Sequence, residues 1–297
     1  MSIIQKEAAS LDPVLLKEIA EQEISVEVLR LDKIHPVISG NKWFKLKYYL
    51  DAAVKADKKV IQTYGGPWSN HLVATAAACH EIGLKSIGVV RGEKPKKISD
   101  TLEEAQAWGM KIEFVSREKY NQEKRRQLEP QKEMYVIPEG GYGEVGTKGI
   151  SEISEYFSNK KYSHLLCAVG TGTMLAGFIN SMPSTCTCLG IPVLKGKQAL
   201  EKAIQPLLAP EKMNWDLKEG FEWGGYAKHP PALLHFMNEW FAQTGIPTDI
   251  VYTGKLFYAF TQLVKQQTFK KGSRILLIHS GGLQGNRSLE SQQLLFN

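Results

Sequence analysis

The residues able to do chemistry collect in glycine-marked turns, and the first of these is Ser39-Gly40-Asn41-Lys42, followed by Trp43 and Phe44. Most lysines are solvated. One at the start of a helix with aromatic neighbours can be desolvated, and an amine so placed is positioned to form a Schiff base. Lys45 and Lys47 are rivals on the same helix. At ~100° and ~1.5 Å per residue they are turned about 60° and 140° from Lys42 and carried away from the helix entry, so Lys42 is expected to act alone, with Lys45 the nearer competitor. A second turn, Gly65-Gly66-Pro67-Trp68, delivers Ser69, Asn70 and His71 at another helix entry. Capping accounts for Ser69 or Asn70 taken singly. Together they place a hydroxyl, an amide and an imidazole beside a helix dipole, which suits a carboxylate or a phenolate-like oxygen.

Two further turns are built for anions. In Gly170-Thr171-Gly172-Thr173 the glycines allow close backbone approach, the turn amides and helix N-terminus favour negative charge, and two hydroxyls add hydrogen bonds, which fits a phosphomonoester. A plain strand-to-helix turn is the competing reading. Gly141, Gly143 and Gly146 spell G-x-G-x-x-G, the fingerprint of a dinucleotide site, but the following strand, His164 to Val169, runs straight into Gly170 without the acidic residue that such a site needs. A glycine loop lining an active site is the better reading. Gly146-Thr147-Lys148 reverses the order a P-loop requires. A Schiff-base lysine with a separate phosphate loop and no nicotinamide fingerprint points to pyridoxal 5′-phosphate.

Those turns need a frame. Runs rich in β-branched residues (Ser25 to Asp32, Lys59 to Tyr64, Lys85 to Val90, Lys111 to Val115, Met134 to Glu139, His164 to Val169, Cys186 to Val193, Arg274 to Ser280) predict strands. Between them, Lys42 to Ala56, His71 to Ile82, Thr101 to Trp108, Ile150 to Phe157, Lys197 to Gln205 and Ala232 to Gln243 predict helices. This alternation argues for parallel sheets with helices on both faces, where functional groups gather at the carboxyl ends of strands.

Composition excludes several classes. The chain has 297 residues, 43% hydrophobic and 23% charged, which is globular and large enough for one α/β unit or two unequal domains. Its net charge of +6 comes from lysines and arginines interleaved with glutamates, as in Arg117 to Glu133, and reads as a solvated face, so no nucleic-acid partner is expected. Four cysteines form no C-x-x-C pair and seven histidines no H-E-x-x-H, so no metal is expected. The N-terminus MSIIQKEAAS lacks a signal-like pattern, and no apolar run approaches the ~18–20 residues that span a bilayer, which points to a cytoplasmic protein without a membrane partner.

The set Ser39 to Lys42, Gly65-Gly66 with Ser69 to His71, Gly170 to Thr173, Val251-Tyr252-Thr253-Gly254-Lys255 and His279-Ser280-Gly281-Gly282 closely resembles, in order, the motifs of the 1-aminocyclopropane-1-carboxylate (ACC) deaminase / D-cysteine desulfhydrase family. The resemblance covers about Ser25 to Gly282 and rests on the motifs jointly. It implies an α/β protein of the tryptophan-synthase-β-like fold (fold type II) of pyridoxal-phosphate enzymes. Two three-layer α/β/α domains would flank the active site: a large one from residues 1–45 and 146–297 and an inserted one from 46–145. It also implies a homodimer. Carried over, Lys42 would hold the cofactor as a Schiff base, Asn70 would contact its ring hydroxyl oxygen, Gly170, Thr171, Gly172 and Thr173 its phosphate, and Thr253 its pyridine nitrogen. Ser69, Asn70, His71, Tyr226 and Tyr252 would face a small amino-acid substrate, with Ser69 and Tyr252 assisting catalysis.

Two activities separate within that family. ACC deaminases typically carry Gln after Ser-Asn, Glu after Val-Tyr, and Leu before the last Gly-Gly, where this sequence has His71, Thr253 and Ser280. The pattern favours α,β-elimination from D-cysteine to pyruvate, sulfide and ammonia, with ACC deamination the alternative. Trp68 departs from the small polar residue expected before Ser69. A nicotinamide dehydrogenase built on Gly141 to Gly146 and a non-catalytic amino-acid-binding protein are the readings from other classes.

Overall fold

The computed structural model describes residues 3–126 and 133–296. The outer limits of the expected domains and part of the mixed-charge stretch Arg117 to Glu133 lie outside the described residues. In chain order the elements are β1 (Leu11–Pro13), α1 (Lys17–Glu21), β2 (Ser25–Arg30), α2 (Asn41–Lys55), β3 (Val60–Gly65), α3 (Asn70–Glu81), β4 (Lys85–Arg91), α4 (Asp100–Ala107), β5 (Met110–Val115), α5 (Arg117–Arg126), β6 (Met134–Ile137), α6 (Glu144–Ser151), β7 (His164–Val169), α7 (Thr173–Ser181), β8 (Thr187–Pro192), α8 (Lys197–Ile204), β9 (Trp215–Leu217), α9 (Pro231–Thr244), α10 (Thr253–Lys265) and β10 (Arg274–His279).

Two sheets result. One is six-stranded in the order β1-β2-β10-β7-β8-β9, parallel except for the antiparallel edge β1. The other is four-stranded and wholly parallel, β5-β4-β3-β6. Alternating side chains of the central strands feed two separate cores. Leu276 and Ile278 of β10, with Leu165, Cys167 and Val169 of β7, pack with α7 on one face. Ile275 and Leu277, with Leu166 and Ala168, pack with Phe257 and Phe260 of α10 on the other. Strands covered on both faces read as continuous apolar runs, which is why these segments were legible as strands. All four cysteines are free and buried.

Two differences from the sequence expectation have physical reasons. β1 and β9 are three residues each, too short to show alternation, and exist as edges paired on β2 and β8. The helix expected over Ile150 to Phe157 instead begins upstream as α6 and passes at Glu152–Phe157 into a 3-10 helix. Its start is hidden in the glycine run because Gly149 meets the Phe44 carbonyl of α2, where a Cβ would sit 1.8 Å from the oxygen. The boundaries expected at 45/46 and 145/146 fall inside α2 and α6, which pack on each other.

Candidate active site

The carboxyl ends of strands from both sheets open onto one cavity of about 460 Å³, with the start of α2 forming its floor. Lys42 reaches this cavity because Gly40, at φ 66°, lies so close to the exit of β10 that a Cβ would fall 1.8 Å from the Ser280 carbonyl oxygen. The Asn41 amide donates to that oxygen at 3.2 Å, which sets the first turn of α2 against the last strand. Lys42 Nζ donates to Asn41 Oδ1 at 2.7 Å and lies 5.6 Å from the centre of the Tyr252 ring. Burial lowers its pKa to about 8, against the opposing pull of the Asp249 carboxylate.

Lys45 lines the same cavity and is 6% exposed, which corrects the expectation that the helix carries it away. Residues three apart share a helix face, and ~60° of rotation is less than a long side chain spans. Burial first, and then the Lys42 charge, lower the Lys45 pKa to about 7. Lys47 is instead paired with Glu152.

The α3 turn offers polar atoms without protein partners. Ser69 occupies the N-cap position, but its side chain makes no capping hydrogen bond. Asn70 Oδ1 and His71 Nδ1 are buried with no hydrogen-bond partner among the described residues, although buried polar atoms are normally paired. Thr63 Oγ1 donates to the Ile137 carbonyl at 2.9 Å and lies 2.8 Å from His71 Nε2, so Nε2 carries the imidazole proton and Nδ1 is left as an acceptor. Burial lowers the His71 pKa to about 3, and the ring is neutral.

Gly170, Thr171 and Gly172 also line the cavity, and Thr173 begins α7 with its hydroxyl 3.1 Å from that of Thr171. Tyr252 precedes α10, and burial raises its pKa well above the ordinary value, so it remains a phenol. Its hydroxyl stands 3.5 Å from that of Tyr226, which is 41% exposed. Thr253 is fully buried and does not line the cavity. Its hydroxyl donates to Asp249 Oδ1 at 2.6 Å. Ser280, in contrast, lines the cavity.

Sequence reasoning set Lys45 aside and missed Arg91, Glu139 and Asp249. Arg91 and Glu139 stand at the ends of strands recognised as such, where site residues collect. Asp249 accepts from the amides of Val251, Tyr252 and Thr253 at 2.8–2.9 Å, and its place ahead of a helix was the available signal. Of the G-x-G-x-x-G glycines, Gly146 serves packing, since a Cβ there would lie 2.1 Å from the Gly141 carbonyl oxygen, whereas the neighbouring Gly140 lines the cavity.

Two desolvated lysines and unpartnered amide and imidazole atoms in one cavity fit an aldehyde-bearing aromatic phosphate. The family profile for pyridoxal-phosphate dependent enzymes matches residues 14–281. The chain belongs to that family. A provisionally named ACC deaminase of Pyrococcus horikoshii is 30% identical over 84% of this chain and 81% of its own length. A bifunctional mitochondrial D-cysteine desulfhydrase/ACC deaminase of Arabidopsis thaliana is 29% identical over 84% of this chain and 70% of its own. The crystal structure of an ACC deaminase homologue superposes with a TM-score of 0.81 at 26% identity, covering 94% of this chain and 90% of that one. This protein is therefore a pyridoxal-phosphate enzyme of fold type II, and the dehydrogenase and non-catalytic readings fall.

Proposed function

We propose that this enzyme catalyses α,β-elimination from a small D-amino acid, D-cysteine before others, with ACC deamination as the second reading. One observation carries it: Lys42, the desolvated amine, shares its cavity with the Ser69-Asn70-His71 turn, in which Asn70 Oδ1 and His71 Nδ1 have no hydrogen-bond partner among the described residues. Lys42, Lys45, Asn70 and Gly170 to Thr173 would hold pyridoxal phosphate. When bound, the cofactor supplies an electron sink for charge developing at the substrate α-carbon. Lys42, neutral above about pH 8, takes the α-proton. The amides and hydroxyl of the α3 turn orient the carboxylate at a helix N-terminus. Tyr252 stays protonated and faces Lys42, so it can donate a proton and never competes as a base.

The choice of D-cysteine rests on His71 and Ser280, and on Thr253 in so far as no carboxylate stands at its position. A sulfide leaving group tolerates a weaker electron sink than an unactivated carbon–carbon bond does. The two activities printed in the names of the relatives frame the test. Initial rates of pyruvate and sulfide from D-cysteine should exceed those of 2-ketobutyrate from ACC, and equal or better kcat/KM on ACC would reverse the assignment.

The division into a large domain (1–45 and 146–297) and an inserted one (46–145), a homodimeric state and a cytoplasmic location belong to the same proposal. Sedimentation and fractionation test the last two. Among the described residues no helix is long and apolar enough to cross a membrane.

A further inference from the structure

We propose that Lys255 is a positioning residue that clasps the 222–228 segment and thereby sets the place of Tyr226 on the cavity wall. The proposal rests on the reading that Tyr226 faces the substrate. Lys255 is fully buried on α10, away from the cavity floor, and its Nζ donates to the carbonyls of Glu222 at 2.8 Å and Gly225 at 2.6 Å. Those two carbonyls also close consecutive turns. Glu222 O accepts from the Gly225 amide at 2.9 Å, and Gly225 O from the Lys228 amide at 3.2 Å. One ammonium therefore grips the acceptor of both turns that flank Tyr226.

The segment needs a clasp because its backbone is strained. Trp223 and Ala227 hold φ of 53° and 55°, a region that residues with a Cβ seldom enter, on either side of Tyr226. Such conformations persist when surrounding contacts over-determine them. Here the contacts run along one stripe of the helix. Tyr252, Lys255 and Tyr258 follow at intervals of three residues, so they lie along one face. Tyr252 meets Tyr226 with ring centres 6.3 Å apart, Lys255 binds Glu222 and Gly225, and Tyr258 packs on Trp223 with centres 4.7 Å apart. Tyr252 also belongs to the Lys42 environment, so a stripe that holds the segment links its position to the reacting end of the cavity.

Removing the ammonium should release the turns without touching the sheets. In the full-length holoenzyme, Lys255→Met should speed hydrogen exchange at the Gly225 and Lys228 amides by about tenfold or more and raise KM for D-cysteine about tenfold with kcat nearly unchanged, the scale of one charge-assisted hydrogen bond. Lys255→Gln, which keeps neutral N–H donors on a shorter arm, should show smaller changes of the same kind, and it carries the test if the methionine variant does not fold. A merely structural lysine lowers thermal stability and does not couple to Tyr226. Combined with Tyr226→Phe, either lysine variant should therefore lose no more than the worse single change. Unchanged exchange at both amides, or kinetic losses that multiply in the double variant, would overturn the proposal. If the wild type holds pyridoxal phosphate yet turns over no D-amino acid, the functional reading fails by itself, and the exchange rates still decide whether Lys255 is the clasp.

Discussion

The two strand-to-helix turns that line the cavity solve different problems with the same geometry. Both leave the carboxyl end of a parallel strand, β3 or β7, and both enter a helix without a side-chain cap, Ser69 making no capping bond and Gly172 having no side chain to make one. The α7 turn spends its composition on backbone access, with Gly172 at φ 87° and the two threonine hydroxyls already within bonding distance of each other. The α3 turn spends it on side chains, and leaves Asn70 Oδ1 and His71 Nδ1 buried without partners among the described residues. Backbone amides at a helix N-terminus bind a multiply charged anion without reading its other groups, whereas placed side chains discriminate between small ligands. The α7 turn is thus suited to retaining the cofactor's phosphate, and the α3 turn to reading the cofactor ring through Asn70 and selecting a substrate through Ser69 and His71.

Lys42 stands between the two, and its loss should produce the largest effect. Lys42→Ala should lower kcat by on the order of 10⁴-fold, the upper range for a positioned base. Borohydride reduction and peptide mapping of the wild type should place the pyridoxyl label on Lys42, and a label on Lys45 would transfer the assignment to the second cavity lysine. Gly172→Val forces a side chain into the left-handed region, with its Cβ 2.6 Å from Ile204 Cγ1. It should weaken cofactor retention by about tenfold to a hundredfold, given a conformational penalty of ~1–2 kcal/mol and some overpacking, while leaving KM for the amino acid little changed. Equilibrium dialysis against pyridoxal phosphate measures it.

Ser69→Ala should do the reverse. Loss of one hydrogen bond to a carboxylate, worth ~1.5–3 kcal/mol, predicts KM raised about tenfold or more at unchanged cofactor content. If both variants shift cofactor content and KM together, the division of labour between the turns is wrong. The smallest effect is in pH. Because the Lys42 pKa lies below its ordinary value, near 8, the neutral amine accumulates as pH rises through 8 and not through 10.5. The rate at which cofactor-free protein takes up pyridoxal phosphate should climb over pH 7–9 and then level. A neutral His71, with its pKa near 3, adds no inflection between pH 5 and 8.

Much of this was legible in the chain itself. Apolar runs buried on both faces and glycine-marked exits marked the central strands and the turns that carry Lys42, Ser69 and Thr171, since period and turn chemistry are local properties. Other features were not local. The three-residue β1 and β9 depend on neighbours to pair with, and α6 starts inside a glycine run whose meaning is a contact with α2. Lys45 shows the limit most clearly. Its rotation from Lys42 follows from helical geometry, but whether that face meets solvent or the cavity depends on what packs against α2. Thr253 shows the converse. Its motif places it at the start of α10, while the packing of residues 247–253 turns its hydroxyl towards the buried Asp249 and leaves Ser280 on the wall. The sequence determined which groups exist and on which turns they sit. Burial, the depressed lysine pKa values and the partnerless atoms of Asn70 and His71 were decided by the tertiary structure, because desolvation depends on residues distant in the chain.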